Sequence, residues 1–143
     1  MNELNDAMQN KILQYSFFLA ALAVALGAFG AHGLKPLLDD KSLQNYQTAV
    51  QYHFYHAIAL AVCGILQLFT TSRRIRIAAW MFGAGLLFFC GSLYAMSFLK
   101  AGGLDVPRLL GPVTPLGGVS FIAGWLVLLA ASTTIVRSKE PGA

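Results

Sequence analysis

The sequence predicts an all-α integral membrane protein, a bundle of four transmembrane helices with both termini in the cytoplasm. Hydrophobic residues make up 57% of the 143 residues and charged residues only 11%, a balance outside the range of soluble globular domains. A membrane-spanning helix needs about 20 apolar residues, and four such stretches follow one another, at about 12–34, 50–70, 75–99 and 115–136. With short loops between them, residues 1–143 are expected to form a single membrane domain.

The first apolar stretch is predicted to be a membrane span and not a cleaved signal peptide. The segment before it, MNELNDAMQNK, carries two acidic residues and one lysine, whereas a signal peptide has a positively charged start and a shorter apolar core. We expect this helix to end at Gly33 in the left-handed conformation, because Pro36 disfavours its continuation by restricting Lys35.

The second helix is predicted to begin outside the membrane. Asp39 or Asp40 can cap it. Beyond the cap, apolar side chains recur at three- or four-residue spacing, which indicates an amphipathic lead-in to the second span: Leu43, Tyr46, Val50 and Phe54.

The fourth helix is predicted to start with Thr114 as its cap and Pro115 in its first turn, where the missing N–H costs nothing. Small residues at four-residue spacing on all four helices predict close helix packing, because lipid tails and leucine are equally apolar and close contact must hold the bundle together. They are Ala23, Gly27 and Ala31, then Ala57 and Ala61, then Gly83, Gly91 and Ala95, and finally Ser120 and Gly124.

The orientation follows from the basic residues at the ends of the spans. Six of them fall on the side of both termini and four on the other side, and the excess is retained in the cytoplasm. The six are Lys11, Arg73, Arg74, Arg76, Arg137 and Lys139; the four are Lys35, Lys41, Lys100 and Arg108. The net charge of +4 reflects this bias, and no basic face with interleaved aromatics indicates a nucleic-acid partner.

The three histidines of the chain all lie where the first span ends and the second begins, so the topology places them on one membrane face. His53 and His56 are three residues apart on one helical face, and His32 lies in the last turn of the first helix. A polar cluster at this face is the candidate binding site: His32, Tyr52, His53, His56, Tyr94 and Thr114.

Two or three imidazoles brought together suit zinc, copper or haem iron, and His32 and His56 are the candidate ligands. No carboxylate or thiolate accompanies them at ligand spacing. We therefore favour hydrogen bonding at the helix ends, and we predict no cofactor and no metal.

Catalytic chemistry is not indicated by any motif. Ser92, Ser97, Ser120, Ser132 and the threonines have no histidine and carboxylate arranged near them in sequence. Cys63 and Cys90 fall inside spans, where cysteine is usually a small apolar residue. We expect no enzymatic activity, and no catalytic residue is named.

Four strings along the chain resemble a known family. They are GAFGAHGL at 27–34, TAVQYHFYHAIAL at 48–60, GSLYAM at 91–96 and TPLGGVSFIAGW at 114–125. They are similar to the DUF423 family, also labelled UPF0382, of small bacterial inner-membrane proteins, and the resemblance covers all but the two tails. It implies a four-span inner-membrane protein and supplies no activity or substrate. The family has histidines at the positions of His32 and His56, whereas the position of His53 can be glutamine.

Three function classes stay open at this point. The first is a small structural or accessory membrane protein that binds lipid, another membrane protein or a second copy of itself. The second is a binding module that uses the histidines for a metal, haem or quinone. The third is a small transporter or channel, for which we would expect a buried charge or a broken helix near the midplane. For all three, the expected location is the bacterial inner (plasma) membrane, which the chain crosses several times.

Overall fold

Four long helices make up the fold. The computed structural model describes the backbone of residues 2–137 and the side chains of residues 11–133. Met1 and residues 138–143, which include the predicted basic residue Lys139, lie outside the described residues. Helix α1 is Asn2–Phe29, extended by one π-helical turn at Gly30–Leu34; α2 is Asp40–Phe69; α3 is Arg73–Ala101, with a π-helical turn at Leu86–Cys90; α4 is Leu110–Arg137. This confirms the all-α architecture.

All four helices are long and apolar enough to cross a membrane. Helices α2 and α3 form the centre of the bundle, with 50% and 39% of their most apolar windows buried, against 11% for α1 and 17% for α4. Large apolar side chains cover the outside, including Phe18, Val24, Trp80, Leu87 and Ile122. Such a surface is stable only where lipid covers it.

Asp39 begins α2 and ties it to α3. Its carboxylate accepts a hydrogen bond from the Ser42 backbone N–H at 2.8 Å and lies 3.4 Å from the Lys100 Nζ. The hydrogen bonds from Ser42, and then Lys100, lower the pKa of Asp39, so the cap stays ionised at the positive end of the helix dipole. Asp39 is therefore confirmed as one of the two predicted caps.

The buried face of α2 differs from the predicted stripe. Tyr46 is fully buried as expected, whereas Phe54 is 39% exposed. The face that packs inward carries smaller and more polar side chains: Ser42, Ala49, His53, His56 and Ala57. Leu43 and Val50 are half-buried, so of the predicted stripe only Phe54 is exposed, because an apolar side chain in a membrane can face lipid as readily as the core.

Two predicted helix ends are also wrong. Gly33 is not left-handed, and among the described residues only Gly103 has a positive φ, 70°. The first helix instead closes through its π-helical turn, where the Lys35 N–H donates to the Gly30 carbonyl at 3.1 Å. Helix α4 starts at Leu110, not at Thr114, so the predicted first-turn Pro115 lies inside the helix. Pro112 instead lies among the first four residues, whose N–H groups have no partner within the helix.

Tyr46 holds α1 against α2. Its hydroxyl donates to the Leu26 carbonyl at 2.7 Å, and its ring lies against Gly30, where a Cβ would come within 2.9 Å of the ring Cδ1. At the other end of the pair, Gly64 lies against Leu13. The two contacts establish that α1 and α2 are antiparallel.

Helices α3 and α4 pack through glycines, but not through all of the predicted ones. Gly117 touches the Phe89 backbone and Gly85 the Phe121 ring, two contacts that sequence reasoning missed. Gly124 packs on Phe82 as expected. Gly83 was predicted to be a packing contact, yet a Cβ built there would meet nothing within 4 Å. That open position faces the space between α1 and α3.

The antiparallel arrangement places both ends of the described chain on one side, the side of the arginines at 73, 74 and 76. We predict that this side is cytoplasmic. A fluorescent protein fused after Ala143 is expected to fluoresce, and alkaline phosphatase fused there is expected to be inactive. The control is the same pair of reporters inserted at Gly103, which should give the reverse result. Phosphatase activity at the C terminus would invert the topology.

Candidate functional site

Helix α2 presents its two histidines to different neighbours. The His53 ring reaches α3, where its Nδ1 lies 3.2 Å from the Tyr94 hydroxyl. The His56 ring reaches α4, where it stacks on Phe121 with centroids 3.5 Å apart and planes within 13°. The predicted cluster is thus divided between two sides of the central helix.

His56 has both ring nitrogens engaged. Its Nδ1 lies 2.8 Å from the Tyr52 carbonyl oxygen, which can only accept, so Nδ1 carries the hydrogen. Its Nε2 then accepts the hydrogen bond from the Trp125 indole N–H at 3.3 Å. These partners define a neutral imidazole in which the lone pair of Nε2 already accepts a hydrogen bond. A metal could bind His56 only after the Trp125 bond is broken.

His53 has one nitrogen without a partner. Its side chain is 5% exposed, and its Nε2 is covered and makes no hydrogen bond. A buried polar atom of this kind is costly unless something else satisfies it. His53 and Tyr94 both line a cavity of about 340 Å³ between α1 and α3, which we call the histidine cavity. Its other walls are mainly apolar: Leu19, Leu22, Leu26, Gly83, Leu86, Leu87, Cys90 and Gly91.

The other predicted residues lie apart from this pair. The His32 Nδ1 donates to the Ala28 carbonyl of its own helix at 3.0 Å, and the ring is exposed. Thr114 bonds to the Ser92 hydroxyl at 2.7 Å, which joins α4 to α3. Tyr52 stacks on His56, with centroids 5.9 Å apart.

A second cavity continues the first toward the side of the termini. It measures about 380 Å³ and is lined by Lys11, Ile12, Tyr15, Leu19, Leu60, Arg76, Ala79, Trp80 and Gly83; we call it the basic cavity. Leu19 and Gly83 line both cavities, so the two are adjacent along α1 and α3, and we call them together the α1–α3 cleft. From Arg76 to Tyr94 the cleft runs along about 27 Å of helix, close to the roughly 30 Å of a bilayer's hydrocarbon core.

Metal ligands are not concentrated at either cavity. Over the described part of the chain, no three side chains of His, Cys, Asp or Glu are grouped so as to hold a metal ion. Cys63 and Cys90 are buried free thiols, as expected for small apolar residues. The predicted absence of a cofactor stays a prediction.

Comparison with known proteins places the chain in a family. The model described as "Protein of unknown function (DUF423)" matches residues 26–118. The chain belongs to the DUF423 family. The matched region includes His53, His56, Tyr94 and Thr114 but not Phe121 or Trp125, the α4 partners of His56.

The curated relatives of this DUF423 protein are membrane proteins by name. A UPF0382 membrane protein of Staphylococcus epidermidis is 43% identical over 113 residues, which are 79% of this chain and 87% of the relative. The UPF0382 membrane protein YwdK of Bacillus subtilis is 44% identical over 114 residues, 79% of this chain and 88% of the relative. No solved structure matches the chain significantly.

Sequence reasoning did not identify the aromatic residues that surround His56. Phe121, Trp125 and Phe82 do so through ring contacts. Phe121 and Trp125 lie in the string at 114–125, but nothing in the sequence marked them as partners of His56. Helix α4 carries no charge before Arg137, so polarity does not mark its inward face. The four-residue spacing of Phe121 and Trp125 is the one signal that places them on a common face.

Proposed function

We propose that this DUF423 protein is a small structural or accessory protein of the bacterial inner membrane that holds a membrane lipid in its α1–α3 cleft. In this role the protein would need neither catalytic activity nor a resident cofactor. One observation carries it. Over residues 2–137, α1 packs along α2 and makes no comparable contact with α3, so a long apolar cleft opens toward the lipid.

The lining of the cleft fits an acyl chain. Leucines, glycines and Ala79 form most of its walls, and contact with a flexible hydrocarbon would supply the van der Waals packing that α1 lacks on this side. A preformed apolar groove with few polar groups is also the usual form of a small-molecule site.

Gly83 provides the test. Because a Cβ there meets nothing within 4 Å, Gly83→Leu should fill the middle of the cleft without disturbing the helix packing. The protein purified in mild detergent is expected to carry lipid in native mass spectra, and Gly83→Leu is expected to lose most of it. Gly111→Leu is the matched control, since Gly111 is also helical and open but lines neither cavity.

The same purified protein also distinguishes this proposal from the other function classes. Equal lipid retention by both variants, or a stoichiometric membrane subunit in place of lipid, would contradict the proposal. One observation favours a second candidate, a binding module for a metal, haem or quinone: the unpartnered His53 Nε2 belongs to a residue that lines the cleft. A stoichiometric quinone, haem band or metal in the purified protein would establish that candidate.

A further inference from the structure

The basic cavity combines an apolar groove with two cations at one end. Ile12, Leu19, Leu60 and Ala79 line the groove, and the two basic residues Lys11 and Arg76 line the same space. Lys11 is exposed and Arg76 is half-buried. The two positive charges suit the negatively charged headgroup of an anionic lipid, and the apolar groove beside them suits an acyl chain.

Among residues 11–133, no carboxylate lies at the end of the bundle where Lys11 and Arg76 are. The three carboxylates among residues 11–133 are Asp39, Asp40 and Asp105, and all three lie toward the opposite membrane face. Between side chains of residues 11–133, no ion pair involves Lys11 or Arg76, while Asp39 pairs with Lys100 at the far end. The side of the termini carries six basic residues against three acidic ones, Glu3, Asp6 and Glu140. A phosphate at the mouth of the basic cavity would therefore meet net positive potential.

The aromatic residues of the cavity fix its depth in the membrane. Tyr15 and Trp80 line it and are 64% and 71% exposed. Large aromatic side chains are enriched at the membrane interface, at the level of the headgroups. Lys11 and Arg76 precede these aromatics by four residues on each helix, or about one turn, so the cations lie at headgroup level and the groove runs into the hydrocarbon.

We propose that the basic cavity binds an anionic phospholipid, with its phosphate between Lys11 and Arg76 and one acyl chain in the cleft past Leu19 and Gly83. This rests on the proposed function and adds the headgroup class and the leaflet. Basic pockets between transmembrane helices are a known form of anionic headgroup site.

The test compares two lipids that differ only in headgroup. The purified full chain is titrated with phosphatidylglycerol or phosphatidylcholine of identical acyl chains, and bound lipid is counted by native mass spectrometry. Wild type is expected to prefer phosphatidylglycerol by about tenfold, the order of magnitude for two cations near an anionic headgroup. Lys11→Gln with Arg76→Gln should abolish the preference and leave binding of both lipids.

The control variant also removes two positive charges, but at the opposite end of the bundle. Lys35→Gln with Arg108→Gln changes two exposed cations at the opposite end and should keep the preference. If both double variants behave like wild type, the headgroup inference is overturned while the cleft proposal stands. If Gly83→Leu leaves lipid binding intact, both are overturned. Competition by inorganic phosphate alone, with no requirement for an acyl chain, would contradict a lipid site.

Discussion

Gly117→Ala is expected to lower the free energy of unfolding by about 3 kcal/mol, the upper part of the range for overpacking a tight contact. A Cβ at Gly117 would overlap the Phe89 backbone nitrogen and come within 2.7 Å of the Phe89 Cα. Backbone atoms cannot rotate away as a side chain does, so α3 and α4 must separate. Cys63 and Cys90 are both buried, and a thiol-reactive dye therefore reports the unfolding in detergent.

The adjacent glycine is the matched control for this change. At Gly118 a Cβ would lie 3.7 Å from the Phe89 ring, an ordinary contact. Gly118→Ala should therefore keep stability or raise it by up to about 1 kcal/mol through better helix propensity. Equal losses from the two substitutions would show that α3 and α4 do not approach each other at Gly117.

Phe121→Ala is expected to lower the free energy of unfolding by about 3–5 kcal/mol, as for other buried phenylalanines. The Phe121 side chain is 3% exposed and fills the space between His56 and Gly85. Its loss leaves a cavity at the centre of the bundle and removes the stacking partner of His56. The same dye measurement gives the loss of stability, and the intrinsic fluorescence of Trp125 should report the disturbed site.

Ile122→Ala is the control for this prediction. Ile122 follows Phe121 directly but is 62% exposed, toward lipid, and its truncation should change stability by less than about 0.5 kcal/mol. If Ile122→Ala were the more damaging change, α4 would present its opposite face to the bundle.

Prediction from the sequence succeeded where the signal is local or compositional. The four spans depend on long apolar runs, because a bilayer tolerates few charges whatever the packing. The cap of α2 depends on Asp39 and a backbone N–H three residues away, a contact within one helix to which Lys100 of α3 adds an ion pair. The topological argument also placed the histidines at one level, and the structure then divides them between α3 and α4.

Prediction failed where the environment of a residue depends on which neighbouring helix it contacts. Gly83 and Gly117 are both glycines in apolar helices, yet one borders an open cleft and the other touches a backbone. Phe121 and Ile122 are consecutive apolar residues with opposite environments. Polarity cannot distinguish such pairs.

The sequence by itself determined that the chain crosses a membrane four times, where the helices lie along it and which side carries more positive charge. Only the tertiary structure decided that α1 leaves a cleft beside α3, that His56 is fully bonded and that His53 is not. The physical reason is that lipid and protein core are equally apolar. Hydropathy therefore marks the spans, while helix contacts alone assign each face to core, cleft or lipid.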